Sequence, residues 1–154
     1  MFKYLICLSF MLISICGFSQ SASARLKNYN LDDKVAIQGY DPVAYFVQKK
    51  AIKGKKEIAY SHEGVFYYFS SPENKTSFVK SPSSYEPQYG GWCAFAMGDS
   101  GKKVSVDPKT YKIVNGKLYL FYNAYFNNTL KTWNKDESRL MEKSDKNWAK
   151  LIAQ

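Results

Sequence analysis

Cys93, His62 and Met97 are the side chains of this sequence best suited to hold a soft metal ion. Cys93 lies in the run Tyr89-Gly90-Gly91-Trp92-Cys93-Ala94-Phe95-Ala96-Met97. Thiolate and imidazole together suit copper or zinc, and a thioether shifts the preference toward Cu(I). On a helix, positions 93 and 97 share a face, so Met97 would stand beside the thiol. The spacing is not a recognised metal signature. The simpler account makes Cys93 a small buried hydrophobe and places His62 in a solvated turn. Cys–His nucleophilic chemistry needs a base beside the thiol and an orienting group behind it. His62 would supply the base, and no residue is marked as the orienting group.

A second candidate site is aromatic. Tyr40, Asp41, Tyr60, Tyr89 and Trp92 would line a small-molecule pocket, with hydroxyls and the carboxylate as orienting groups. The competing account uses the tyrosines for packing along a hairpin. Asp41 precedes Pro42, which makes a helix cap the ordinary role for it. Glu57, Glu63, Glu73 and Glu86 show no pairing that would place two carboxylates across a substrate. There is no glycine-rich phosphate loop, Cys-x-x-Cys pair or nucleophile elbow.

The elements that position these groups occupy one domain, as 154 residues suggest. The first segment is read apart from it. Lys3, the apolar run from Tyr4 to Cys16 and the small residues near Ser19 form the pattern of a signal peptide over residues 1–19. The run is too short to make a membrane span the natural reading, although an uncleaved anchor is an alternative. Residues 20–30 read as a leader and 31–154 as the domain. The protein is expected to be exported, periplasmic or secreted. Cleavage removes Cys7 and Cys16, which leaves one thiol and no intramolecular disulfide. The mature chain must stand on its core, and 13 Tyr, 10 Phe and 3 Trp supply the material. The net charge of +9 comes from scattered lysines rather than clustered arginines. That composition argues for a solvated basic face and against nucleic-acid readout. No further segment is long and apolar enough to span a bilayer.

The pattern predicts an α+β fold with two hairpins and several short helices. Val35-Ala36-Ile37 is extended, and 43–47 is a helical turn or short strand. Glu57–Ser61 and Val65–Phe69 form the first hairpin around His62-Glu63-Gly64. Ser71 caps a helix that has Pro72 at its first position, runs to Lys80 and turns Phe78 and Val79 inward. Trp92–Met97 is a short buried helix and 98–103 a loop. Val104 and Val106 extend a strand, and Asp107-Pro108 turns. Lys112–Val114 and Leu118–Phe121 form the second hairpin on an Asn115-Gly116 type I′ turn. Asn123 caps a helix striped by Ala124, Phe126, Leu130 and Trp133. A last helix from Asp136 or Ser138 carries Leu140, Met141, Trp148 and Leu151.

Several of these residues form a familiar pattern. Asp41-Pro42-Val43, Tyr60, Gly64, Tyr67-Tyr68-Phe69-Ser70, Phe78, Pro82 and Tyr85 resemble the YHS domain. Gly39 to Phe46, Gln88 to Ala94 and Gly116 to Leu120 resemble the exported, stand-alone YHS domain-containing proteins. The resemblance runs from Ala36 to Trp148. It implies a small non-enzymatic domain associated with metal. It also implies where the thiols of the metal-associated members would fall: at Ala44, Ser70 and Asn74, none of which is a cysteine. A metal site here would have to use Cys93 instead. The expectation is an exported YHS-type protein that binds copper, zinc or a small ligand near Cys93. The alternatives are a structural or partner-binding module without metal, and a thiol enzyme.

Overall fold

The computed structural model describes residues 22–154. The signal peptide expected over 1–19 lies outside the described residues. Within the leader, Ala22–Asn28 form helix α1, which is docked on the domain through the buried Arg25.

The molecule is a small α+β domain. Its first half is a four-stranded sheet. Strands β1 (Leu31–Asp32) and β2 (Val35–Ala36) make a tight antiparallel pair. Strands β3 (Lys55–His62) and β4 (Val65–Phe69) form the expected hairpin, whose turn residues Glu63 and Gly64 have φ of 47° and 85°. Strand β2 pairs in parallel with β4, giving the order β1-β2-β4-β3. The period of two places Val65, Tyr67 and Phe69 inward and leaves Phe66 outward. Tyr45, on the single turn α2 (Ala44–Val47), is buried beside Tyr111, and its hydroxyl donates to the Pro108 carbonyl at 2.8 Å.

Helix α3 (Pro72–Lys80) starts as expected: Ser71 Oγ accepts from the Asn74 N–H at 3.2 Å. Phe78 is fully buried and meets Tyr67 at 4.6 Å and Phe69 at 5.3 Å between ring centroids. Val79, expected inward, is 43% exposed. Neighbouring helical residues point about 100° apart, and the narrow contact with the sheet admits only the phenylalanine.

The second half is built on β5 (Asp107–Val114) and β6 (Lys117–Phe121), joined by Asn115 and Gly116 at φ of 51° and 72°. Strand β5 starts earlier than expected, because Asp107 already pairs with Phe121 across a break in register. Pro108 falls at that break, where no ladder donor is required. Val104 and Val106 lie outside the strands; the Val104 carbonyl instead accepts from the Cys93 N–H at 2.9 Å. Helix α4 (Ala94–Ser100) begins after Cys93 and continues through residues read as a loop, ending on Gly101 at φ 69°.

The helix expected from Asn123 is replaced by a miniature hairpin. Strands β7 (Asn123–Ala124) and β8 (Asn127–Asn128) pair around Tyr125 and Phe126. Helix α5 (Thr129–Trp133) starts after it, capped by Asn128, whose Oδ1 accepts from the Leu130 N–H at 3.1 Å. The cause is tertiary. The Tyr122 carbonyl accepts both the N–H and the hydroxyl of Thr129, at 3.0 and 2.9 Å. A continuous helix from 123 would carry Thr129 away from that carbonyl. Helix α6 (Glu137–Ile152) completes the chain, with Leu140 and Ser144 buried.

Two apolar clusters result. One gathers Val43, Tyr45, Val65, Tyr67, Phe69, Phe78, Cys93, Leu118 and Leu120 among its members. The other holds Tyr89, Ala94, Met97, Tyr119, Phe121, Trp133 and Leu140. They meet at the start of α4, where Cys93 and Ala94 face different clusters.

Gly98 sets the spacing between α4 and α6. A Cβ there would stand 2.5 Å from the Leu140 carbonyl oxygen and 2.6 Å from Ser144 Oγ. That hydroxyl donates to the Ala94 and Leu140 carbonyls, at 3.0 and 2.8 Å. Gly98→Ala should therefore lower stability by about 1–3 kcal/mol, as overpacking does. Urea unfolding followed by tryptophan fluorescence measures it.

Candidate functional site

Cys93 is the residue before α4, with φ −58° and ψ 117°, and its side chain is fully buried. Its Sγ accepts from the Tyr122 N–H at 3.3 Å and lies 3.4 Å from Thr129 Oγ1. The Thr129 hydroxyl proton goes to the Tyr122 carbonyl. The short Sγ–Oγ1 contact therefore has the thiol as donor. Both hydrogen-bonding roles of the sulfur are filled by the fold-back that creates β7 and β8.

The other two soft donors are held elsewhere. Met97 donates its N–H to the Cys93 carbonyl at 3.0 Å, but its side chain is buried in the second cluster. His62 ends β3 opposite Val65, half-buried, with its ring 6.2 Å from Phe78 in an edge contact. The expected shared helical face fails because the Cys93 backbone is not helical. Among the described residues, no group of three or more His, Cys, Asp or Glu is placed to hold a metal ion.

Asp41 has a more elaborate setting. It is fully buried, and its Oδ1 accepts from the N–H groups of Val43 and Ala44 at 2.8 and 3.2 Å, capping α2. Its Oδ2 accepts from the Ser70 N–H at 2.8 Å, the Ser70 hydroxyl at 2.6 Å and Asn74 Nδ2 at 2.7 Å. Ala44, Ser70 and Asn74, far apart in sequence, thus converge on one carboxylate. Five donors saturate the roughly four lone-pair directions of a carboxylate, leaving none for a cation. The one sequence signal was a polar Asn74 four residues before the inward Phe78, on the same helical face; Ser70, directly after β4, falls in the outward phase of that strand and carried no such signal. Asp41→Ala would strand these buried donors and should cost about 3–5 kcal/mol. Asp41→Asn should cost less, because one acceptor survives. Urea midpoints of the two variants test the order.

The other expected pocket residues serve separate contacts. Tyr40 lies beneath the Lys53 ammonium, 4.8 Å from the ring centre. Tyr60 packs edge-on to Phe78. Tyr89 donates its hydroxyl to Asp145 Oδ1 at 2.8 Å, tying the 88–91 turn to α6. Trp92 Nε1 donates to the Asn28 carbonyl at 2.7 Å, holding the end of α1. An open cleft of about 400 Å³ lies elsewhere, lined among others by Asp32, Gln38, Lys53, Lys56 and Tyr68. Its wall includes Gln38 and Gly39, at φ of 51° and 77°, and they follow the buried Ile37 at φ 53°. A β-branched residue there is an outlier that local patterning does not announce.

Arg25 anchors α1 in a polar cluster that sequence reading missed. Its guanidinium pairs with Glu86 and, at 3.4 Å, with Glu63; it also donates to the Tyr29 hydroxyl at 3.1 Å and the Tyr67 hydroxyl at 3.4 Å. Burial, reinforced by Glu86, pushes the Tyr29 phenol up to about 12 and raises Tyr67 well above its ordinary value. Burial also raises Tyr45 and, with help from Asp145, Tyr89. Tyrosines of the unfolded chain ionise near pH 10, so above that pH the unfolded state sheds protons first. The stability from these neutral phenols is complete below about pH 10 and is lost as pH rises toward 12 and beyond. The urea midpoint should therefore fall steeply above about pH 10, and less steeply in Tyr45→Phe.

Comparison with protein-family models, with curated proteins and with solved structures returns no match. Among the described residues, no helix is long and apolar enough to cross a membrane.

Proposed function

We propose that this chain is an exported, non-enzymatic binding module of the YHS type in which Cys93 is a structural core thiol. The observation that carries this reading is the closure of its sulfur. Sγ is fully buried and engaged by Tyr122 N–H and Thr129 Oγ1. To coordinate copper or zinc, the Cys93 thiol would have to give up its proton, and with it the contact to Thr129 Oγ1, at a sulfur the ion cannot reach from solvent. To act as a nucleophile, it would need an entry path and a base at its sulfur, where the partners are instead the Tyr122 N–H and Thr129 Oγ1. The saturated Asp41 cluster supports the same conclusion at the positions where the resemblance implies metal-binding thiols. Export rests on the residue pattern over 1–19.

Thiol labelling tests this. Cys93 should react with an aromatic disulfide reagent only at the rate of unfolding, and quickly in denaturant. Elemental analysis of protein purified without added metal should give the same copper and zinc content for the wild type and Cys93→Ser. Rapid labelling in native buffer would overturn the reading, as would one equivalent of metal that Cys93→Ser loses.

A further inference from the structure

Tyr125 and Phe126 occupy the two-residue loop between β7 and β8, and they are 90% and 110% exposed. Both have positive φ, 51° and 62°. A hairpin loop with two positive φ values favours Asn-Gly, and bulky aromatic residues adopt it only against their own preference. The chain elsewhere shows the favourable solution, since Asn115-Gly116 turns β5 into β6. The two most exposed large apolar side chains among the described residues are therefore held at a tip whose backbone is strained to present them.

The segments next to the tip in sequence are polar and carry no acidic side chain. Asn123, Asn127 and Asn128 flank it. From Pro108 to Lys135 the chain contains Lys109, Lys112, Lys117, Lys131 and Lys135 and no Asp or Glu. Lys112 is paired with Glu137, and Lys117 starts β6 beside the opposite turn. Lys109, Lys131 and Lys135 are exposed, and the first two belong to segments that join the root of the hairpin. Asn123 Nδ2 donates to Thr110 Oγ1 at 2.9 Å, which places Lys109 at that root, and α5 carries Lys131 from it. The flanking carboxylates are engaged: Asp136 pairs with Arg139, Glu137 with Lys112, and Asp107 accepts from the Lys109 N–H and the Thr110 hydroxyl.

We propose that this hairpin is a membrane-docking wedge that inserts Tyr125 and Phe126 into the interface of an anionic lipid bilayer, with Lys109, Lys131 and Lys135 contacting the headgroups. Two-residue strands lift the tip about 7 Å above its root. That matches the interfacial depth of about 5–10 Å at which apolar side chains of peripheral proteins sit. Two aromatic side chains ringed by asparagine are too small a patch for a protein interface, which needs about 800 Å² on each partner. The exposed lysines of the flanking segments and the net charge of +9 complement an anionic surface. The proposal deepens the binding-module reading by naming the partner, on residues that Cys93 labelling does not report.

The test uses protein recovered from the exported fraction of an expression host, its N-terminus established by mass spectrometry. Partitioning is measured by co-sedimentation with vesicles of phosphatidylcholine alone and of phosphatidylcholine with phosphatidylglycerol. Wild type should bind the anionic vesicles, more weakly as salt rises. Tyr125→Asn/Phe126→Gly should raise the melting temperature by relieving the turn, yet weaken vesicle binding by at least about tenfold. Lys109→Gln/Lys131→Gln/Lys135→Gln should abolish the preference for anionic lipid. No binding by wild type, or equal binding by the stabilised turn variant, overturns the proposal. So does a wild-type dimer that the turn variant makes monomeric without any vesicle binding, since the occupant would then be a second copy. Cys93 labelling on the same preparations reports the core-thiol reading separately.

Discussion

A buried carboxylate with no cation in its hydrogen-bond set holds the first half of this molecule together. Asp41 accepts five hydrogen bonds, two from the start of α2, two from Ser70 after β4 and one from Asn74 in α3. A charge removed from water in this way is tolerable only when every acceptor direction is filled. The constraint is mutual. The carboxylate needs all three segments in place, and the segments need it to satisfy donors that face inward. The sheet, the Phe78 contacts of α3 and the Tyr45 anchor into β5 all lie next to this junction.

A second junction sits where the two apolar clusters meet. Cys93 closes the first cluster and starts the helix that serves the second. The Tyr122–Thr129 fold-back that engages its sulfur also produces the β7–β8 hairpin. The thiol and the exposed aromatic tip are therefore consequences of one local arrangement. The tightly bonded residues lie inside, and the exposed apolar ones are displayed outside on a rigid root.

Much of the fold was legible in the sequence. Alternation marked β4, Asn115-Gly116 marked the second hairpin, and Ser71-Pro72 marked the start of α3. Each is a local device whose energetics depend on a few consecutive residues. The errors share a cause. Residues 123–128 carry a helical stripe on paper, but two hydrogen bonds from Thr129 to the Tyr122 carbonyl decide their path. Val79 fits a broad inward face, but the groove over the sheet admits only Phe78. The site candidates were read less well. Cys93, His62 and Met97 were grouped by donor chemistry, which says nothing about which cluster each side chain enters.

The sequence by itself determined the α+β class, the turn positions and the aromatic core, because those follow from periodicity and from residues with strong backbone preferences. It also marked Asp41 as a cap. Only the tertiary structure decided that Ser70 and Asn74 complete the environment of that carboxylate, and that Arg25 ties α1 to Glu63 and Glu86. Only the tertiary structure showed that Tyr125 and Phe126 stand in solvent while Cys93 is sealed. These outcomes depend on contacts between residues distant along the chain. Such contacts are set by how packed elements meet, and no local pattern encodes that geometry.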